Sequence, residues 1–158
     1  MKYRMKYRIK MSKIALLLIS LFVSLDALAQ HQTTDFHGAV AELDSYKVVF
    51  QLNSGDDKVI KGTMRNILNS LEDPRLKGKL QVELVVHSGG VVVFRKDHPY
   101  EAQLKALQAK GVILAECENT IREKNISKDQ LFDFISYVPS GNGEIIIRQQ
   151  QGWAIVHP

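Results

Sequence analysis

The 158-residue chain has room for one domain, and its 45% apolar content allows a real core. A net charge of +4 and a pI near 9.2 raise nucleic-acid binding, but the charge sits in the wrong place for it. Six of the 21 basic residues (Lys2, Arg4, Lys6, Arg8, Lys10, Lys13) precede residue 14, and from Gln30 onward 15 basic face 16 acidic residues, so the mature part has no excess to attract phosphate backbones.

The first 29 residues read as a secretory signal. A basic stretch ends at Lys13, an apolar run follows from Ile14 to Val23, and Ala27-Leu-Ala29 is a small-x-small site that predicts cleavage before Gln30. The apolar run is well short of the roughly 20 residues needed to span a bilayer. Met1-Lys-Tyr-Arg recurs at Met5-Lys-Tyr-Arg, so Met1, Met5 and Met11 are all candidate starts. The expectation is a protein exported to the periplasm and free of the membrane after cleavage. Residues 30–45 are polar without a sustained period and read as an N-terminal arm.

From Tyr46 the pattern alternates. Tyr46 to Gln51 is a β-rich run ended by Asn53-Ser-Gly-Asp56. Val59, Ile60, Thr63, Met64, Ile67, Leu68 and Leu71 recur at helical spacing up to Asp73-Pro74. Gln81 to Val86 is a second strand ended by His87-Ser-Gly-Gly90, and Val91 to Phe94 reads as a strand, a buried loop or a helical turn. Pro99 suits a helix N1 position, with Gly111 as the stop. Val112 to Ala115 is a third strand, and Cys117 leads into a short helix over Glu118 to Lys124. Ser127-Lys-Asp-Gln130 fits a capping box. Ser136 to Val138 is a fourth strand, Pro139 to Gly143 a turn, Glu144 to Gln151 a last helix, and Trp153 to Val156 a terminal strand. Strands alternating with helices imply an α/β domain over residues 46–158: a mostly parallel five-stranded sheet with helices on both faces. Strand order is not legible from this pattern.

Ligands of open α/β sheets bind outside the carboxyl ends of the strands. Asn53, His87, Cys117 and Ser140 follow strands one to four and so share that edge. Cys117, the only cysteine, is the sharpest candidate: at a strand-to-helix junction, free N–H groups favour a thiolate. Glu116 and Glu118 flank it, and nearby negative charge opposes ionisation. Packing as a small apolar residue is the competing role. His87 either takes the thiol proton, orients a substrate, or bonds a loop carbonyl. Asn53 is a binding residue or a plain turn residue, and Ser140-Gly-Asn-Gly143 an anion-binding turn or a connector. CxxC, GxSxG, HExxH, Walker and dinucleotide motifs are absent, and the five histidines lack ligand spacing, so neither a metal nor a cofactor is expected.

Tyr46-Lys-Val-Val-Phe-Gln-Leu, Asn66, Val85-Val-His-Ser-Gly, Cys117-Glu-Asn-Thr-Ile and Gln150-Gln-Gly-Trp-Ala together resemble the DsrE/DsrF-like (YchN-like) family, in particular its exported single-domain branch. The resemblance implies a three-layer α/β/α domain that assembles as a homotrimer or homohexamer. It also implies a cysteine that carries sulfur as a persulfide, a role only Cys117 can match. On their positions in this chain, His87 would then be the helper and Asn53 and Asn119 the substrate-binding residues. A small sulfur species or a donor and acceptor protein would be the partner. The chain departs from sulfur-relay members on the C-terminal side of the cysteine: Glu118 to Lys124 stands where they carry small residues and Arg-Arg-Gly. A binding or scaffold module with a structural cysteine is the alternative.

Overall fold

Val48, Val49, Phe50 and Leu52 of strand β1 (Tyr46–Leu52) are all buried, as a strand covered on both faces requires. The computed structural model describes residues 36–157. The expected signal peptide, residues 1–29, and the start of the arm lie outside the described residues. Residues 36–39 belong to a separate N-terminal unit and have no regular structure. Residues 40–45 precede β1, where the Leu43 N–H donates to the Tyr46 hydroxyl at 2.9 Å.

Four further strands pair parallel to β1 or to one another: β2 (Leu80–Val86), β3 (Ile113–Cys117), β4 (Ser136–Val138) and β5 (Ala154–Val156). Their order is β4-β3-β2-β1-β5. The chain steps one way from β1 to β4 and then crosses back beyond β1. Because parallel crossovers are right-handed, connections running in opposite directions fall on opposite faces.

Three helices accordingly lie on one face: α1 (Asp57–Glu72), α2 (Glu101–Ala109) and the short α3 (Glu118–Glu123). Ile60, Met64, Ile67, Leu104, Leu107 and Ile121 pack there against Val48, Phe50, Leu52, Leu84, Val86 and Leu114. The other face carries α4 (Gly141–Gln150) over a smaller cluster of Val49, Val85, Ala115 and Trp153, with Ile145 against it. The expected three layers and five strands are present, and the sheet is wholly parallel.

Local signals set the helix limits. Asp56 caps α1 by accepting from the Lys58 and Val59 N–H groups at 2.9 and 3.1 Å, and the helix stops at Glu72, before Asp73-Pro74. The capping box Ser127–Gln130 forms as expected. Several boundaries differ from the sequence pattern. Pro99 is not at N1, because α2 starts at Glu101 with Tyr100 as its N-cap and the proline stands one residue before the cap. Val91 to Phe94, which the pattern left open, is the end of a 3-10 segment, Ser88–Phe94, buried at Val91, Val93 and Phe94. α4 starts at Gly141 instead of Glu144, because Ser140 caps it through the Gly143 N–H at 3.2 Å. β3 continues two residues past Ala115, so Cys117 ends the strand and caps α3. Among the described residues no helix is long and apolar enough to cross a membrane.

The 3-10 segment sits tightly on the end of β1. The Leu52 carbonyl accepts from the His87 N–H at 3.0 Å, and a Cβ on Gly90 would overlap that same carbonyl oxygen. Gly90→Ala therefore has to push the His87 loop away from β1. We expect it to cost about 2 kcal/mol or more, read by urea denaturation, because overpacking against rigid backbone has no cheap relaxation.

Candidate functional site

Cys117 and His87 occupy the ends of adjacent parallel strands, β3 and β2, and α4 begins beside both. A Cβ placed on Gly141 would lie 3.1 and 3.3 Å from His87 carbon atoms and 3.4 Å from Cys117 Cβ. Glycine is thus what lets the start of α4 sit between the two side chains. The strand order brings this about, since β2 and β3 are neighbours and the α4 crossover runs over that face.

The Cys117 thiol is 5% exposed. Burial pushes its pKa up, but the nearby Gly141 N–H, the Thr120 hydroxyl, and the Thr120 and Asn119 N–H groups favour the anion and outweigh that, so the thiol ionises below its ordinary value, although the side chain makes no capping hydrogen bond on α3. The Thr120 hydroxyl is itself oriented. It accepts the Ser88 N–H at 2.8 Å, which leaves its single hydrogen free to point at the sulfur. Ser88 presents that N–H from a left-handed conformation, φ 52°, uncommon for a residue with a side chain.

The flanking carboxylates do not oppose the thiolate as their charges imply. Glu118 is ion-paired with Lys128 at 2.7 Å on the surface. Glu116 points to the opposite sheet face from Cys117, is fully buried, and neither carboxyl oxygen has a hydrogen-bond partner. Burial, and next the Cys117 charge, push its pKa up to about 9; the nearby Cys117 N–H offsets part of this without reaching hydrogen-bond geometry. Glu116 is a neutral acid at physiological pH.

His87 is bound at both ring nitrogens: Nε2 lies 2.8 Å from Gln51 Nε2, and Nδ1 lies 3.0 Å from Ser88 Oγ. Burial, helped by the charge of His157, lowers its pKa. Of the other sequence candidates, Asn119 contributes its N–H, while its side chain accepts from Arg122 at 2.6 Å. Asn53 is exposed beyond β1, where its carbonyl would be 3.0 Å from a Cβ on Gly89. Ser140 caps α4, and its neighbour Gly141 supplies the donor to the sulfur. Sequence reasoning passed over Gln51, Thr120 and Gly141 as individual site residues. A polar Gln51 within an apolar strand was the available signal for the first.

Among the described residues no group of His, Cys, Asp and Glu side chains is placed to hold a metal ion. An open groove of about 600 Å³ lined by Lys96, Lys105, Phe132 and Phe134 shares no residue with the Cys117 site. The arrangement is a buried thiol, its pKa lowered by neutral donor groups, at the carboxyl edge of a parallel sheet, which defines a thiol-centred α/β domain.

The DsrE/DsrF-like family matches residues 45–158, and the chain belongs to that family. Among solved structures, a protein of unknown function from Methanobacterium thermoautotrophicum is 33% identical, with a TM-score of 0.68 over 72% of this chain and 100% of the other. The ychN protein from E. coli shares 19% identity and a TM-score of 0.54, over 72% of this chain and 99% of its own. A conserved protein of unknown function from Bacteroides thetaiotaomicron shares 14% identity and a TM-score of 0.57, over 77% and 100%. The last two likenesses speak for the fold alone. No curated protein matches the chain.

This geometry has two measurable consequences. Gly141→Ala should disturb one hydrogen bond to the charged sulfur, and such bonds contribute about 1.5–3 kcal/mol. The midpoint of Cys117 alkylation against pH should therefore rise by roughly one unit or more. Glu116 binds its proton more tightly in the folded than in the unfolded chain, so its contribution to stability is full below about pH 4.5 and is lost as pH rises toward about 9. The wild type should lose about 4 kcal/mol relative to Glu116→Gln between about pH 5 and pH 8, measured by urea denaturation at each pH.

Proposed function

We propose that the protein carries sulfur on Cys117 as a persulfide. The observation that supports this best is the set of donors around the thiol, all of them neutral and fixed, which favours the anionic sulfur needed for attack. The thiolate attacks the outer sulfur of a low-molecular-weight persulfide, R–S–S–H. A Cys117 S–S bond forms, the original S–S bond breaks, and its electron pair leaves on R–S⁻. The proton remains with the transferred sulfur until solvent takes it. No external oxidant or reductant enters, because the sulfane sulfur moves at constant oxidation level. The same donors that hold the thiolate suit the negative charge of the persulfide that replaces it.

Membership of the DsrE/DsrF-like family gives this reading its fold context. The leader at residues 1–29 supports a periplasmic location, where the sulfur source and acceptor would be small sulfur species or another exported protein. We also propose a homo-oligomer, trimeric or hexameric. In its favour, the α4 side leaves Ile113, Ile146 and Ile147 exposed at 41%, 61% and 54%, an apolar surface that a second copy would cover.

The competing reading, a binding or scaffold module with a structural cysteine, draws on the burial of Cys117. One experiment separates the two. Native protein incubated with polysulfide should gain sulfur on Cys117, seen by mass spectrometry, and Cys117→Ser should gain none. A wild-type chain that takes up no sulfur, and that iodoacetamide labels only after denaturation, would establish the structural role instead.

A further inference from the structure

We infer that Gln51 is a positioning residue that fixes His87 as a neutral imidazole with its proton on Nδ1, so that the reaction at Cys117 proceeds without a side-chain base. The inference concerns the same site and rests on the reading of Cys117 as the reactive thiol.

The amide nitrogen of Gln51 only donates hydrogen bonds. It faces His87 Nε2 at 2.8 Å, so that ring nitrogen must be the acceptor and cannot carry a proton. The single proton of the neutral ring then sits on Nδ1 and is donated to Ser88 Oγ at 3.0 Å. A second proton would have to enter at Nε2, directly against the Gln51 N–H. The one lone pair through which His87 could act as a base is therefore occupied by a donor.

The surroundings reinforce the assignment. Around His87 stand Gln51 from β1, Ser88 from the 3-10 segment, Gly141 from α4 and Cys117 from β3, with His157 after β5 contributing electrostatically. His157 opposes a second positive charge, and among the described residues no carboxylate is hydrogen-bonded to the ring. Cys117, for its part, already has its donors from Thr120, Asn119 and Gly141. The thiol proton therefore has solvent, and not the ring, as its acceptor, and His87 serves as a rigid part of the frame. Its Nδ1–H anchors the Ser88 side chain while the Ser88 N–H orients Thr120.

The test uses the full-length protein and two readouts. Long-range ¹⁵N–¹H NMR of the histidine ring identifies the protonated nitrogen, and alkylation of Cys117 against pH reports every group that affects the thiol. The wild type should show the proton on Nδ1 and a pH profile with one inflection, that of the thiol. In Gln51→Glu the new carboxylate accepts from the ring: the proton should move to Nε2, the His87 pKa should rise, and the profile should gain a second inflection. Gln51→Leu should keep the fold but show a mixture of the two tautomers. A wild-type proton on Nε2, or a wild-type profile already carrying a His87 inflection, would overturn the inference. Sulfur loading is measured separately. If Cys117 takes no sulfur while the NMR result holds, the persulfide reading fails and the tautomer assignment stands.

Discussion

The donor groups gathered around the Cys117 sulfur come from two different helix starts, α3 and α4, and much of the surrounding architecture serves to bring those starts together. β3 ends at Cys117 itself, so the Asn119 and Thr120 donors come next along the chain. The Gly141 donor arrives from a crossover that spans the sheet from β4 to β5. Its approach depends on a missing side chain, since any Cβ there would press on both His87 and Cys117. Neutral donors set in place by the fold thus favour the ionised form of the thiol and need no counter-ion.

Two buried carboxyl groups show how differently the same side chain is accommodated. Glu83, 1% exposed on the α4 face, bonds Arg148 at 2.6 Å, and Arg148 also meets Glu144 at 2.8 Å and stacks over Trp153. Burial raises the Glu83 pKa and the Arg148 charge holds it back. Glu116 has no such cation and gives up its charge instead. That neutrality matters to the site, because an ionised carboxylate next along the strand would work against the Cys117 thiolate. A buried acid without a partner weakens the fold, and here it adjoins Cys117.

Several local features are legible in the residues alone. The α1 periodicity, the halt before Pro74 and the Ser127–Gln130 box all concern residues a few positions apart, and short-range sterics and hydrogen bonding decide them. The Ser88–Phe94 segment is not legible in this way, because a run of valines has strand propensity; its 3-10 form is imposed by Gly90 packing onto Leu52. The composition of Gly141-Asn-Gly143 is that of a turn, so the residue pattern puts the start of α4 three residues late. The Ser140 cap makes that turn the first turn of a helix.

By itself, the sequence determined the α/β class, the parallel strands, the near-neutral charge from Gln30 onward and the placing of Asn53, His87, Cys117 and Ser140 at strand ends, all of which depend on residue type and spacing. Only the tertiary structure decided which of these meet. Strand order set His87 beside Cys117 and brought Gly141, next to Ser140, against both, while Asn53 stayed exposed. It also reversed the expected influence of Glu116, since a carboxyl's charge depends on burial and partners that no count of acidic residues contains. And it gave Gln51 a role, because that side chain reaches His87 only once β1 and β2 are paired in register.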